Sequence, residues 1–95
     1  VTPELIVEVV AEHFGITMDQ ILSKSRSNDV AKPRQIAMYL CKNMTDASLE
    51  TIGKAVGGRD HSTVVHGIKK VTDDISVDKS VERTVTTIRK KVNPC

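Results

Sequence analysis

The sequence has almost no aromatic side chains: Phe14 and Tyr39 are the only two among 95 residues, and tryptophan is absent. A hydrophobic core must therefore be built from Val, Ile, Leu, Met and Ala. A chain of this length is large enough for one domain with one modest core. We expect a single domain over residues 1–95.

Long apolar runs are also missing. No stretch approaches the roughly 20 apolar residues that span a bilayer, and the first residues lack the pattern of a secretory signal peptide. We therefore expect a cytoplasmic protein with no membrane span. The sequence starts at Val1, and we expect it to be a piece of a longer protein.

Cysteine is scarce, and the two that occur, Cys41 and Cys95, lie far apart. Cys41 falls on an apolar helical stripe, which predicts a reduced thiol in the core. No close Cys/His spacing indicates a metal site. His61 and His66 are five residues apart, whereas four would place two ligands on one helical face.

Positive charge is concentrated in the middle of the chain. Residues 1–23 carry four acidic side chains and no basic one, a net −4, whereas residues 24–70 carry nine basic and four acidic ones, a net +5. This asymmetry favours an anionic partner on one face. An ordinary solvated surface explains the charge alone equally well.

Apolar residues recur at helical spacing throughout, and no strand pattern of useful length occurs. The sequence predicts an all-α, compact bundle of about six helices. The predicted helix starts and stops are Thr2-Pro3, Gly15, Thr17, Pro33 (in the first turn of the third helix), Ser48, Gly57, Asp60 and Asp78. The predicted buried positions are Leu5, Ile6, Val9, Val10, Phe14, Met18, Ile21, Leu22, Ile36, Ala37, Leu40, Cys41, Met44, Leu49, Ile52, Val56, Val64, Val65, Ile68, Val71, Ile75, Val81, Val85, Ile88 and Val92.

The run 57–66, GGRDHSTVVH, is the most informative stretch. Two glycines close one helix and a polar cluster opens the next, so residues 48–75 read as a helix-turn-helix. The first turn of such a second helix is where base edges are read. Asp60 is fully explained as an N-cap, although a carboxylate also suits a cytosine amino group. Capping does not need His61 or Thr63.

The connector at 23–33 is the second candidate site. Lys24, Arg26 and Lys32 lie in it and Arg34 follows it, against Asp29 alone. An arginine on such a loop is suited to a narrow minor groove, where the potential is most negative. The alternative is a solubilising surface loop.

The same residues do not predict catalysis. Asp60, His61 and Ser62 are the three residue types of a catalytic triad, but contiguous positions at a helix start cannot align them. The glycines at 57–58 lack the spacing of a phosphate-binding loop. We expect no enzyme activity and no metal.

The run 57–66 resembles the signature of the C-terminal DNA-binding domain of bacterial replication initiators of the DnaA family. LSKSRS at 22–27 and VAKPRQIAM at 30–38 resemble the basic loop and third helix of the same domain. The similarity covers nearly the whole chain in order and spacing. It implies a Trp-repressor-like helix-turn-helix fold that binds double-stranded DNA at short, asymmetric, A·T-rich boxes in a replication origin.

The resemblance also implies roles for individual residues. Arg26 would enter the minor groove, and Asp60, His61 and Ser62 would meet base edges in the major groove. Phosphate or orienting contacts would come from Arg34, Gln35, Lys42, Thr63 and His66, with Ser27 and Arg59 nearby.

The nucleotide-binding ATPase domain of the family is missing from this chain. The resemblance therefore implies no cofactor here, with ATP confined to the missing domain, and a monomeric fragment whose full-length protein oligomerises on the origin in the bacterial nucleoid. Two other interpretations stay open. A helix-turn-helix transcription regulator would act as a dimer on palindromic half-sites. A small protein-interaction module would expose an apolar patch.

Overall fold

The computed structural model describes residues 1–94, and these contain six α-helices and no strand. The helices are α1 Pro3–Phe14, α2 Met18–Leu22, α3 Asn28–Met44, α4 Leu49–Ala55, α5 His61–Val77 and α6 Lys79–Val92. The predicted all-α bundle is confirmed. No helix in this part of the chain is long and apolar enough to cross a membrane.

The N-termini of the helices are capped largely as predicted. Thr17 and Gln20 form a reciprocal capping box at the start of α2. The other side chains that accept a backbone N–H at a helix start are Thr2, Ser48, Asp60 and Asp78. Each satisfies an N–H group that has no partner inside the helix.

The start of α3 was predicted wrongly. The helix begins at Asn28, so Pro33 lies inside it, and the connector shrinks to a basic loop at residues 23–27. The carbonyl of Ser27 accepts the N–H groups of Val30 (3.0 Å) and Ala31 (2.8 Å), and the side chains of Val30 and Pro33 are buried. Pro33 removes one hydrogen bond, to a carbonyl in the exposed first turn where water can replace it.

Helix α3 is the centre of the bundle, because it packs against all five other helices. Its buried side chains are Val30, Pro33, Arg34, Ile36, Ala37, Met38, Leu40 and Cys41. Burial, with a smaller contribution from Glu4, raises the pKa of the Cys41 thiol to about 12. Cys41 is therefore a protonated core residue, as predicted; Cys95 lies outside the described residues.

Helix α5 is rotated relative to the prediction. Val64 and Val71 are buried, but Val65 is 47% exposed, and the buried position between them belongs to Gly67. A Cβ at Gly67 would lie 2.5 Å from the Met38 sulfur. The missing side chain thus lets α5 approach α3 closely and turns Val65 to the surface.

Other predicted apolar faces are confirmed only in part. In α6, all four positions (Val81, Val85, Ile88 and Val92) are buried. In α1, Leu5 is 40% exposed, and Val7, which was not predicted, is fully buried. Met18 in α2 is also exposed.

The turn between α4 and α5 is held against the end of α2. Gly57 and Gly58 have φ of +99° and +82°, which favour glycine over residues with a Cβ. A Cβ at Gly57 would collide with the carbonyl oxygen of Leu22, whereas one at Gly58 would point into open space. Gly57 therefore fixes how closely the turn approaches the basic loop.

We expect Gly57→Ala to reduce the free energy of unfolding by at least about 1 kcal/mol more than Gly58→Ala does, because only the first adds a collision to the backbone strain. Urea unfolding monitored by circular dichroism measures both losses. Equal losses would mean that the approach to Leu22 does not constrain the turn.

We expect the Asp60 cap to make stability depend on pH. The backbone N–H of Thr63 is the main cause of the lowered pKa of Asp60. A carboxylate with a lowered pKa in the folded state stabilises the protein above its unfolded pKa, near 3.9, and this contribution is lost as the pH falls through the folded pKa.

Asp60→Asn keeps a capping side chain but removes the titration. Its free energy of unfolding should therefore fall less steeply below pH 4 than that of the wild type, in denaturant titrations at several pH values. Asp46→Asn, at an exposed aspartate that caps no helix, should keep the wild-type slope. An unchanged slope in Asp60→Asn would refute the expectation.

Candidate nucleic-acid interface

The first two turns of α5 present a polar surface to solvent. The side chains of Asp60, His61, Ser62, Thr63, Val65 and His66 are all exposed, and we call them the reading face. Asp60 Oδ1 accepts the N–H of Thr63 at 2.8 Å, so this carboxylate is fixed at the helix start. The first turn therefore combines an ionised acid, an imidazole and two hydroxyls.

Val65 is the apolar member of the reading face, whereas the sequence pattern predicts a buried side chain there. At about 100° per residue, Val65 lies between the directions of His61 and Lys69. A helical-wheel count that allowed for Gly67 as a buried position would have found it.

The positive charge beyond the reading face is partly neutralised. Lys69 pairs with Asp73 at 3.3 Å and Lys70 with Asp74 at 3.1 Å, both with the i,i+4 spacing along α5. The far half of α5 is therefore less positive than its lysines alone suggest.

The basic loop is held in place by one buried guanidinium. Arg34 is 6% exposed and donates from Nε to the carbonyl of Ile21 (2.8 Å), from Nη1 to that of Ser25 (3.0 Å) and from Nη2 to that of Ser23 (2.8 Å). A guanidinium with so many donors engaged is poorly placed to meet a phosphate. Of the two roles expected for Arg34, phosphate contact or orientation, its geometry fits orientation.

Arg59 connects the loop to the turn of the helix-turn-helix. Its guanidinium donates to the carbonyl of Ser23 in the loop and to that of Gly57 in the turn. Burial, and then the charge of Arg59, lower the pKa of Arg34, but an arginine remains a cation at neutral pH. Two arginines thus meet on one carbonyl and hold the loop beside α5.

A groove separates the loop from the reading face. Lys24, Ser25 and Arg26 line one wall, and Gly58, Asp60 and Thr63 line the other. The Arg26 side chain is exposed and takes part in no hydrogen bond or ion pair within residues 1–94. The charges of Arg26 and Lys24 mark both as candidates in the sequence, whereas no sequence feature of Ser25 predicts a position in the groove.

Three other predicted residues do not line this groove. Gln35 is half-buried where α3 meets Gly67, and Lys42 is exposed two turns further along α3. Ser27 is exposed at the N-cap position of α3. Within residues 1–94 no three His, Cys, Asp or Glu side chains are placed to hold a metal ion.

Comparison with known proteins agrees with this arrangement. A family model described as the bacterial dnaA protein helix-turn-helix matches residues 3–71. The chromosomal replication initiator protein DnaA of Lachnoclostridium phytofermentans is 53% identical over 94 residues, which are 99% of this chain and 21% of that protein. The protein of the same name from Herpetosiphon aurantiacus is 44% identical over 92 residues, 97% of this chain and 20% of that protein.

A solved structure has the same fold. The crystal structure of a DNA replication initiation factor superimposes with a TM-score of 0.84 at 33% identity, covering 95% of this chain and 27% of that one. This chain spans about a fifth of the length of the relatives it matches. The match includes the groove and both of its walls, and the chain belongs to the bacterial DnaA family, of which it carries the helix-turn-helix domain.

Proposed function

We propose that this domain binds double-stranded DNA and recognises short, asymmetric boxes in a bacterial replication origin, one copy per box. The observation that carries the proposal is the groove, where a polar helix start faces an unpaired arginine on a fixed basic loop. The names of the relatives, chromosomal replication initiators, support the biological setting.

The reading face suits the major groove, which admits a helix. The first helical turn of a recognition helix contacts base edges. Asp60 is suited to a cytosine amino group, while His61 and Ser62 offer donors and acceptors to neighbouring bases. The exposed methyls of Val65 are suited to a thymine methyl group.

Arg26 would enter the adjacent minor groove, where a narrow A·T-rich stretch concentrates negative potential. Arg34 and Arg59 hold the loop at a set position relative to α5. Arg26 and the reading face are thus held at a fixed separation before DNA binds, so less conformational entropy is lost on binding.

Contacts to phosphates would orient the domain without reading sequence. Lys42, Thr63, His66 and Ser27 are exposed and carry donors, while Gln35 is half-buried. In this proposal Arg34 and Arg59 contribute to DNA binding by holding the basic loop in position.

The proposal assigns no catalysis and no cofactor to this domain. ATP binding and oligomerisation on the origin would belong to the other four-fifths of a full-length initiator, and the domain alone would be monomeric. A cytoplasmic, nucleoid-associated location follows from the DNA partner.

The deciding experiment compares two labelled duplexes by fluorescence anisotropy at two salt concentrations. One duplex carries a single initiator box and the other carries the same bases shuffled. The proposal expects tighter, salt-sensitive binding to the box with one domain per duplex. Equal affinities would refute box recognition, and a requirement for two palindromic half-sites would favour a dimeric transcription regulator.

We expect Arg26→Ala and His61→Ala each to weaken binding to the box by roughly 1–3 kcal/mol and to reduce the preference over the shuffled duplex, because base contacts specify. Lys42→Ala is the control: it should weaken binding to both duplexes alike and lower the salt slope by about 1. A changed preference in Lys42→Ala, with none in His61→Ala, would contradict this division of roles.

We expect Arg34→Lys to weaken box binding although the charge is kept, because an ammonium cannot reach three carbonyls as a planar guanidinium does. Anisotropy gives the affinity, and urea unfolding gives the stability of the same variant. Lys32→Arg, at an exposed position on the same helix, should leave both unchanged. Wild-type affinity in Arg34→Lys would show that the loop does not need this anchor.

A further inference from the structure

Helix α6 has a strongly basic surface that the helix-turn-helix does not use. It contains five basic side chains and one acidic one, Glu82, a net +4. The family model ends at residue 71, before α6 begins, although the relatives align over α6 as well. The model of the helix-turn-helix itself thus gives no role to the charge of α6.

Part of that charge is explained by helix stability, but part is not. Arg89, Lys90 and Lys91 lie in the last turn, where cations favour the helix dipole, and Lys91 Nζ lies 2.8 Å from His13 Nδ1 of α1. Lys79 is the first residue of α6, where a cation opposes the dipole. Arg83 follows at i+4, a like-charge spacing that destabilises a helix.

Three of these cations share the middle of the exposed face. At about 100° per residue, Lys79, Arg83 and Lys90 point in nearly one direction, with the hydroxyls of Thr86 and Thr87 on either side of them. All five side chains are exposed, and we call them the α6 stripe. The ion pairs within residues 1–94 are formed inside α4 and α5 and do not include the stripe cations.

The stripe belongs to a helix that has no contact with the helix before the basic loop. Helix α6 packs against α1, α3 and α5 and makes no contact with α2 or α4, the two helices that precede the basic loop and the helix-turn-helix turn. Its apolar side chains (Val81, Val85, Ile88 and Val92) are buried in the core. The exposed side chains of α6 itself are therefore polar, and the one exposed apolar side chain beside its start is Val77 at the end of α5.

We propose that the α6 stripe binds the phosphate backbone of a second DNA duplex while the reading face holds the first. Lysine, arginine and threonine side chains are the usual donors to phosphate oxygens. A membrane surface or a protein partner would favour exposed apolar side chains, which the stripe lacks. The contact would be independent of base sequence and sensitive to salt. This inference rests on the proposed function for the first duplex.

The test uses energy transfer between a donor-labelled box duplex and an acceptor-labelled shuffled duplex, mixed with the domain at about 50 mM salt. The wild type should bring the two duplexes together. Arg83→Gln with Lys90→Gln should lower the salt slope of second-duplex binding by about 2 and leave the anisotropy of the box duplex unchanged. Arg89→Gln with Lys91→Gln, which removes the same charge from the flanks of α6, is the matched control.

Several outcomes would overturn the inference. They are an absence of energy transfer in the wild type, equal losses of energy transfer in both double variants, or weaker binding of the box duplex in the stripe variant.

Other outcomes would assign the stripe to a different partner. A complex of two domains and two duplexes in analytical ultracentrifugation would show association between copies of the domain. Binding to phosphatidylserine vesicles that depends on the stripe, without energy transfer, would assign it to a membrane surface. Loss of box preference with energy transfer intact would refute only the proposed function.

Discussion

The buried guanidinium of Arg34 is the interaction on which the arrangement of this domain depends. It draws together the carbonyls of Ile21, Ser23 and Ser25 at the end of α2 and in the loop. Hydrogen bonds to a charged donor contribute about 1.5–3 kcal/mol each. Such a set can hold a polar loop that has too few apolar side chains to fold by burial.

The position of α5 depends on a second constraint, the contact between Gly67 and Met38. Because Gly67 has no side chain, the Met38 sulfur lies directly against α5, and α5 lies close against α3, the helix that also carries Arg34. One central helix thus positions the loop through a charge and the reading face through a steric contact. The groove between them is a consequence of both.

The sequence was sufficient for local features and insufficient for those that arise from packing. Capping by Thr17, Ser48 and Asp60 was predicted, because a cap involves only residues three or four apart. The start of α3 was missed, because the burial of Val30 and Pro33 outweighs the usual place of proline in a helix. Sequence alone identified Arg34 as a cation, but could not show the three carbonyls around it. Val65 was misplaced, because a glycine gave no apolar signal for the face that is in fact buried.

Asp60 is a helix cap that the proposed function also places at a base edge, and this has a consequence for how the family can diverge. Its carboxylate caps α5, and a replacement that cannot accept the hydrogen bond destabilises the helix start. A new base preference that requires a non-capping residue at position 60 would therefore be acquired together with a loss of stability. Ser62 and Val65 are exposed and carry no cap. Drift in target preference among descendants of this domain should consequently accumulate at those positions, while a side chain that can cap the helix persists at position 60.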